Sequence, residues 1–420
     1  MKLPLAALSL AGAFTFAPAS CSDSGASAPL PSKQSQPAQP RAFTDAPLSE
    51  AATRLLDLAF RAVSGMPDVP HRKNRSRMQA LLVDACLEFD QPARAKTWAD
   101  QIAGWERGQC YAELADHCVQ HHIEADVLGL LAAATRIADE AMAEEGSQEW
   151  RRDRIRAKVA AVHLLLGQAD EARELQTGLV DSETEHLAAA KAKLLDPALF
   201  DQQLAGLDGV LASENVDQAL GALKMCVELF ARFPDDGAKR AQLVDRVTNA
   251  FPKLPLQMRL EYVLEIADAA VACGDKTTAM ALFEHASELV EGKGWVLEDQ
   301  VGLRAKVALH RARGGDAAGA KKALDAARDL FQERREQIVD VFRGDALRPI
   351  AEGYMACGAG EEAARAYRLI VEEGVHNPNS KPRAEDLAKT CVSMVRSGFV
   401  PEQTLWTRMK TIAEALGQPW

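Results

Sequence analysis

A short turn pattern that recurs along the chain constrains its fold more than any other feature. A glycine followed five residues later by an alanine stands in four stretches, LGQADEA (166–172), CGDKTTA (273–279), GGDAAGA (314–320) and CGAGEEA (357–363). Glycine allows a tight turn without steric cost, and alanine lets two helices approach closely. The pattern therefore predicts helical hairpins repeated along the chain.

Regular apolar spacing extends this prediction to most of the chain. From Ser49 onward, apolar residues recur at three- and four-residue spacings, and no sustained alternation indicates a strand. Ser49 is a good N-cap for a first helix, and Gly65 is a good stop for it. The sequence thus predicts an all-α fold.

The residues around the turns resemble the tetratricopeptide-repeat family. Its signature places a leucine-glycine pair and a tyrosine in the first helix of each hairpin, then an alanine and an aromatic residue in the second. The best copy consists of Ile350, Ala351, Tyr354, Gly358, Ala363 and Tyr367, and a second copy consists of Ile266, Ala267, Gly274, Ala279, Phe283 and Ala286. Earlier copies are fainter and have Asp90 and His122 at their turns.

The spacing of the copies departs from the family. Gly274, Gly315 and Gly358 stand 41 and 43 residues apart, whereas the family period is about 34 residues. The closing proline of the signature is also absent, so longer and irregular helices are expected. The gap between Gly167 and Gly274 is predicted to contain two further hairpins.

The predicted fold is a right-handed α-solenoid of stacked antiparallel hairpins, similar to tetratricopeptide repeats over most of Ser76 to Gly374. We expect a signal peptide at 1–20, a disordered linker rich in Ser, Pro, Ala and Gln at 21–46, the repeat array at 47–375, and a C-terminal loop with capping helices at 376–420. Such a stack has two ends and a groove. The family resemblance implies that peptide segments lie in that groove, against the first helices.

The first residues have the pattern of an export signal. Met1 and Lys2 precede an apolar run, Leu3 to Phe16, which is too short to span a bilayer comfortably. Cleavage after Ala19 would yield a periplasmic or secreted protein. Alternatively, the residues before Cys21 resemble a bacterial lipoprotein signal, although Pro18 stands where that family usually has leucine. The sequence therefore predicts export to the cell envelope, with Cys21 as the lipid attachment site.

Charge and motifs exclude several function classes. The formal net charge of −11 argues against a nucleic-acid partner. Metalloprotease, phosphate-loop, dinucleotide and serine-hydrolase motifs are absent from the sequence. Carboxylates are abundant, but we expect them at helix starts and on solvent faces, with no pair standing out. The prediction is therefore a protein without catalytic activity, cofactor or metal.

One segment, CYAELADHCVQHH, is dense in possible metal ligands. It contains Cys110, His117, Cys118, His121 and His122. Residues four apart share a helix face, which is sufficient geometry for zinc. The favoured interpretation is the end of a first helix and its turn, with Cys118 packed inward.

Two cysteines stand at equivalent positions of neighbouring repeats. Cys86 and Cys118 each precede a turn by four residues, so a buried pair of thiols is favoured over a disulfide bridge.

Basic residues cluster near the starts of three first helices, against the acidic average of the chain. We define this predicted basic ridge as Arg72, Lys73, Arg75, Arg77, Arg107, Arg151, Arg152, Arg154 and Arg156. Equivalent positions of stacked repeats line one edge, so these side chains are candidates for binding an acidic partner segment or anionic lipid headgroups. The alternative is that they are solvated and balance neighbouring acids.

The sequence therefore favours a lipid-anchored envelope scaffold or adaptor that binds other proteins or peptides. A helical-toroid enzyme acting on polysaccharide and a purely structural spacer are the alternatives. Aromatic residues make up only 5% of the chain, which disfavours the enzyme because sugar sites usually need aromatic platforms.

Overall fold

The computed structural model describes residues 40–143, 148–213, 215–250, 254–292 and 294–420. The predicted signal peptide, Cys21 and most of the predicted linker lie outside the described residues. Within the described residues the fold is all-α apart from two very short strands. No helix in these ranges is both long enough and apolar enough to cross a membrane.

The elements follow one another along the chain with short connections. The first nine helices are α1 (Glu50–Ser64), α2 (Asp68–Glu88), α3 (Pro92–Ala99), α4 (Glu106–Gln120), α5 (Val127–Ala143), α6 (Glu149–Leu165), α7 (Ala169–Gln176), α8 (Ala188–Leu194) and α9 (Phe200–Ala212). The next ten are α10 (Val216–Phe230), α11 (Gly237–Thr248), α12 (Leu256–Ala272), α13 (Lys276–Glu291), α14 (Leu297–Arg313), α15 (Ala317–Arg334), α16 (Asp340–Ala356), α17 (Gly360–Glu373), α18 (Ser380–Ser397) and α19 (Gln403–Glu414). Short 3-10 helices cover Asp181–Leu187, Pro197–Leu199 and Arg335–Gln337, and the strands are β1 (Arg41–Ala42) and β2 (Ile123–Glu124).

The predicted turns are confirmed. The backbone has a positive φ at all four glycines of the recurring pattern, Gly167, Gly274, Gly315 and Gly358. In the two earlier copies, Asp90 (φ 55°) and His122 (φ 54°) adopt this conformation without being glycine. Each of these six turns joins two antiparallel helices.

Residues next to the turns start the second helices. Asp275 follows a turn glycine, and its carboxylate accepts a hydrogen bond from the Thr278 backbone N–H at 3.2 Å. Asp316 does the same for the Gly319 N–H at 3.0 Å. These caps satisfy donors that have no partner inside a helix. Ser49 and Gly65 likewise bound α1, as the sequence predicts.

The hairpins pack as a solenoid, which confirms the predicted fold class. The hairpins are α2 with α3, α4 with α5, α6 with α7, α10 with α11, α12 with α13, α14 with α15 and α16 with α17. We call the leading member of each hairpin, together with α8 and α18, a first helix. Each first helix contacts the first helices before and after it, and the second helices pack against the first helices.

The solenoid closes on itself. The last first helix, α18, contacts α16 on one side and α2 on the other, and α1 packs along α18 as extensively as the second helix of a hairpin packs on its first. The guanidinium of Arg396 in α18 also pairs with Glu88 of α2 at 2.8 Å. The expectation of a stack with two ends is therefore wrong, because the N-terminal helix α1 packs on α18 and α18 contacts α2.

The end of the predicted linker is part of the fold. The Arg41 N–H donates to the His122 carbonyl at 2.8 Å as β1 pairs in parallel with β2. The Asp45 carboxylate accepts from the Ala93 N–H at 2.8 Å at the start of α3. Residues 40–46 are thus ordered, which corrects the predicted disordered segment 21–46 at this end.

The signature residues form the core between repeats. Ile350, Ala351, Ala363 and Tyr367 are fully buried. The Tyr354 hydroxyl, at the edge of this core, donates to Asp325 at 2.7 Å. Because small and large side chains interlock between helices, the repeat pattern is visible in the sequence.

Candidate functional site

Polar side chains of successive first helices meet on the inner wall of the closed solenoid. This wall is inner because the first helices contact one another around the complete circuit. Hydrogen-bonded pairs cross between helices at Lys158 with Glu113 (2.6 Å), Lys193 with Gln120 (2.6 Å), Lys224 with Glu265 (3.0 Å), Lys389 with Asp345 (3.0 Å) and Arg396 with Glu88 (2.8 Å). We call this set the inner belt.

Two carboxyl groups of the wall, Asp84 in α2 and Glu113 in α4, are hydrogen-bonded to each other. Glu113 Oε1 accepts from the Lys158 ammonium at 2.6 Å and from the Gln109 amide at 2.9 Å. Its other oxygen, Oε2, is buried, and no N–H or ammonium of the described residues donates to it. A protonated Asp84 carboxyl can donate a hydrogen bond to Glu113 Oε2 and so supply the missing donor.

The electrostatics place that proton on Asp84. Burial raises the pKa of Asp84 to about 9, and repulsion by Glu113 adds to the rise. Burial also acts to raise the pKa of Glu113, but the Lys158 ammonium and the hydrogen bonds from Asp84, Lys158 and Gln109 together outweigh it, and the pKa is lowered. The pair therefore shares one proton at neutral pH. Protein surrounds the Asp84 carboxyl on most sides. The side chain is nevertheless exposed to solvent and is not enclosed.

Asp84 has counterparts in other hairpins. An acidic residue stands six positions before the turn residue in α2, α4, α12 and α16, and the other three are Asp116, Asp268 and Glu352. Burial raises the pKa of Asp116 and of Glu352 as well. Asp268 instead accepts a hydrogen bond from His310 of α14 at 2.8 Å. The inner wall thus carries a repeated acidic position.

This acidic position was missed in the sequence, although its signal was present. The expectation that carboxylates lie at helix starts is wrong for Asp84 and Glu113, which are mid-helix residues of the inner wall. The expectation of a solvent face holds for Asp84, which is exposed, whereas Glu113 is half-buried. Counting back six positions finds the acid at four of the six turn residues. The partner Glu113 could not be found this way, because it stands nine positions before its turn and meets Asp84 only through helix packing.

In the structure, most side chains of the predicted basic ridge contact other residues of the chain. Six members have acceptors, namely Arg72 with the Ala103 carbonyl (2.6 Å), Arg75 with Asp68 (2.7 Å), Arg77 with Glu385 (3.7 Å), Arg152 with Asp153 (2.7 Å), Arg154 with Glu183 (3.0 Å) and Arg156 with Asp139 (3.2 Å). Lys73, Arg107 and Arg151 have no ion pair to a described residue. Most of the positive charge is therefore neutralised internally, and binding by this ridge stays a prediction.

The cysteine and histidine segment forms the end of α4 and its turn. Cys110 and Cys118 are buried, and burial raises the pKa of the Cys118 thiol to about 11. The His117 ring meets Asp90 at 3.2 Å and lies 4.2 Å from the His121 ring. In the described ranges, no group of three or more His, Cys, Asp or Glu side chains could hold a metal ion. Cys86 and Cys118 are free thiols, like the other five described cysteines.

The Asp84 and Glu113 pair can hold a proton and offer polar contacts, but its spacing does not fit glycoside hydrolysis. That reaction needs carboxyl groups separated by roughly 5–9.5 Å, whereas these two are in direct hydrogen-bond contact. The pair resembles the shared-proton arrangement in which one carboxyl is kept neutral by its neighbour. A neutral carboxyl on a concave wall can contact the backbone of a bound polypeptide.

Comparisons with known proteins do not assign a family. No protein-family model matches the sequence, and no curated protein matches it. Among solved structures, the chain is similar to a "Circular tandem repeat protein with novel repeat topology and enhanced subunit contact surfaces", with 14% identity and a TM-score of 0.24 over 86% of this chain and 94% of that chain. A TM-score this low carries no argument, so the assignment of an all-α, closed helical-repeat solenoid rests on the helix contacts.

Proposed function

We propose that this protein is an exported, lipid-anchored scaffold of the cell envelope, which binds a polypeptide segment of a partner along its inner wall. The observation that carries the proposal is the inner belt, in which polar side chains of different first helices pair with one another along the wall. An extended polypeptide needs alternating donors and acceptors along its backbone. The first helices supply both kinds of group.

The charge of the wall favours a polypeptide over a polyanion. Lysine and arginine side chains of the inner belt are each paired with a carboxylate or amide. The whole chain has a formal net charge of −11. A nucleic acid would require unpaired positive charge along its backbone.

The proposed anchor precedes the described fold in the sequence. The chain enters the fold at β1, beside the His122 carbonyl and beyond the C-terminal end of α4. Replacing Cys21 with serine is expected to move the protein from the membrane fraction to the soluble envelope fraction.

Site-specific photo-cross-linking in the native cell tests partner binding. A photoreactive residue at Lys193, an exposed member of the inner belt, is expected to give one dominant adduct with an envelope protein. The matched control is the same residue at Arg173 in the second helix α7, whose side chain is 76% exposed. We expect no dominant adduct there.

Two results would contradict the proposal. Equal adducts at the inner and outer positions would indicate random collision, and no adduct at several inner positions would remove the scaffold function. An affinity tag should follow Trp420 through a flexible linker, since the Pro419 carbonyl accepts from the Ser380 N–H at 2.8 Å and the terminus is part of the fold.

A further inference from the structure

A second concave site lies outside the inner wall, between α3, α4 and α5. It is a cleft of about 540 Å³, within the usual range of roughly 300–1,000 Å³ for small-ligand sites. Phe43, which follows β1, closes one side of it. The cleft is thus completed by the segment that connects the linker to the ring.

One wall of the cleft is apolar and firmly positioned. It is formed by Phe43, Tyr111, Leu130 and Ala133. The Tyr111 hydroxyl donates to Asp100 at 2.7 Å, which fixes the ring from behind. The Lys96 ammonium lies 5.2 Å from the centre of the Tyr111 ring, so an apolar side chain of a ligand packs on Phe43, Leu130 and the part of the Tyr111 ring that Lys96 leaves free.

The charged groups of the cleft are separated along α5. Glu124 and Asp126 come just before the helix, and Arg136 stands ten residues after Asp126. At 1.5 Å per residue, the backbone separation of Asp126 and Arg136 along the helix axis is about 15 Å. Four extended residues span roughly 13 Å, so a tetrapeptide has about the length of this backbone separation.

Lys96 and Asp126 already have side-chain hydrogen-bond partners within the part of the chain that the structure describes, whereas Glu124 and Arg136 do not. The Lys96 ammonium is held by both oxygens of Asp100, at 2.7 and 2.9 Å. Asp126 Oδ1 accepts from the Gly129 N–H at 2.9 Å, which leaves Oδ2 for a ligand. Neither Arg136 nor Glu124 has a side-chain hydrogen bond or ion pair with any residue in the described ranges.

We propose that this cleft binds a short apolar peptide of about four residues with free termini. Its ammonium group lies against Glu124 and Asp126, its carboxylate pairs with Arg136, and an apolar side chain packs on Tyr111 and Leu130. Charge complementarity at both ends selects a zwitterion over a simple anion. This site is independent of the inner wall and of the scaffold function proposed above.

Calorimetric titration of the full-length protein with the tetrapeptide AFLA tests the proposal. The free peptide is expected to bind, and either N-acetylation or C-amidation is expected to weaken binding at least fivefold, because each modification removes one terminal charge. Arg136→Gln should weaken binding of the free peptide to a similar extent. Since the carboxylate partner is then absent, C-amidation should have little further effect on the Arg136→Gln variant.

Glu140→Gln is the matched control, because Glu140 is exposed on the same helix and does not line the cleft. It should bind the peptide like the unmodified protein. The proposal is overturned if the free peptide gives no binding, or if blocked and free peptides bind equally. Equal weakening by Arg136→Gln and Glu140→Gln would also reject it. Cross-links from Lys193 should be the same in Arg136→Gln, so failure here is distinguishable from failure of the scaffold function.

Discussion

A carboxyl group keeps its proton at neutral pH where its ionised form is costly, and Asp84 is in such a position. Burial and the neighbouring Glu113 raise its pKa to about 9, against an ordinary value of 3.8. The folded chain therefore binds this proton more tightly than the unfolded chain. The resulting stability is fully present below about pH 4 and is lost as the pH rises through about 9.

Asp84→Asn tests this at the residue scale. The amide cannot ionise, so the variant should lose less stability than the unmodified protein between pH 5 and pH 9. We expect a relative gain of about 1 kcal/mol at the upper pH, far below the full effect of the shift, because solvent reaches this side chain. Urea unfolding at several pH values measures it. Asp170→Asn, at an exposed position of α7, is the control, and a parallel pH profile for Asp84→Asn would contradict the assignment.

At the scale of the element, the turn conformation determines which substitutions are tolerated. Gly358 has a φ of 73°, a region that side chains with a Cβ rarely adopt, although there is open space around it. Gly360, two residues later, starts α17 and also has open space. The two glycines therefore differ in backbone conformation and not in packing.

Alanine at these two glycines should have opposite effects. Gly358→Ala is expected to lower the free energy of unfolding by about 1 kcal/mol because it strains the turn. Gly360→Ala should leave it unchanged or raise it by up to about 1 kcal/mol, because alanine favours the helix. Chemical denaturation of both variants measures the difference. Equal effects would mean that the turn conformation is not what requires glycine.

At the scale of the whole molecule, ring closure couples the two ends of the sequence. Leu56 of α1 is fully buried, and α1 packs on α18. Leu56→Ala should cost about 3 kcal/mol. It should also speed hydrogen exchange in α18, more than 300 residues away in sequence. In an open stack the effect would be confined to α1 and α2.

Leu223→Ala provides the comparison for this prediction. Leu223 is fully buried in α10, in a separate part of the core. Its replacement should destabilise the neighbourhood of α10 without first exposing α18. Hydrogen exchange with mass spectrometry resolves the two regions, and identical exchange patterns in both variants would contradict a closed ring.

Local patterns predicted much of this fold and little of the site. The turn residues, the caps and the buried signature positions depend on neighbours in sequence, so they are readable from Gly358, Asp316 or Tyr354 alone. The contact between Asp84 and Glu113 depends on how two helices are aligned, which spacing does not reveal. For the same reason, the sequence left open whether the basic ridge binds a partner or is balanced by neighbouring acids, and most of its side chains have acceptors within the chain.

The sequence by itself determined an all-α chain of repeated hairpins, because helix spacing, turn glycines and closely packed alanines act over short distances. Only the tertiary structure decided that the array closes. Closure depends on the small rotation between successive repeats, which accumulates around the ring until α1 reaches α18. It also decided which acids are hard to ionise, because the cost of ionising Asp84 comes from the surrounding protein and Glu113 and not from the residues beside it in sequence.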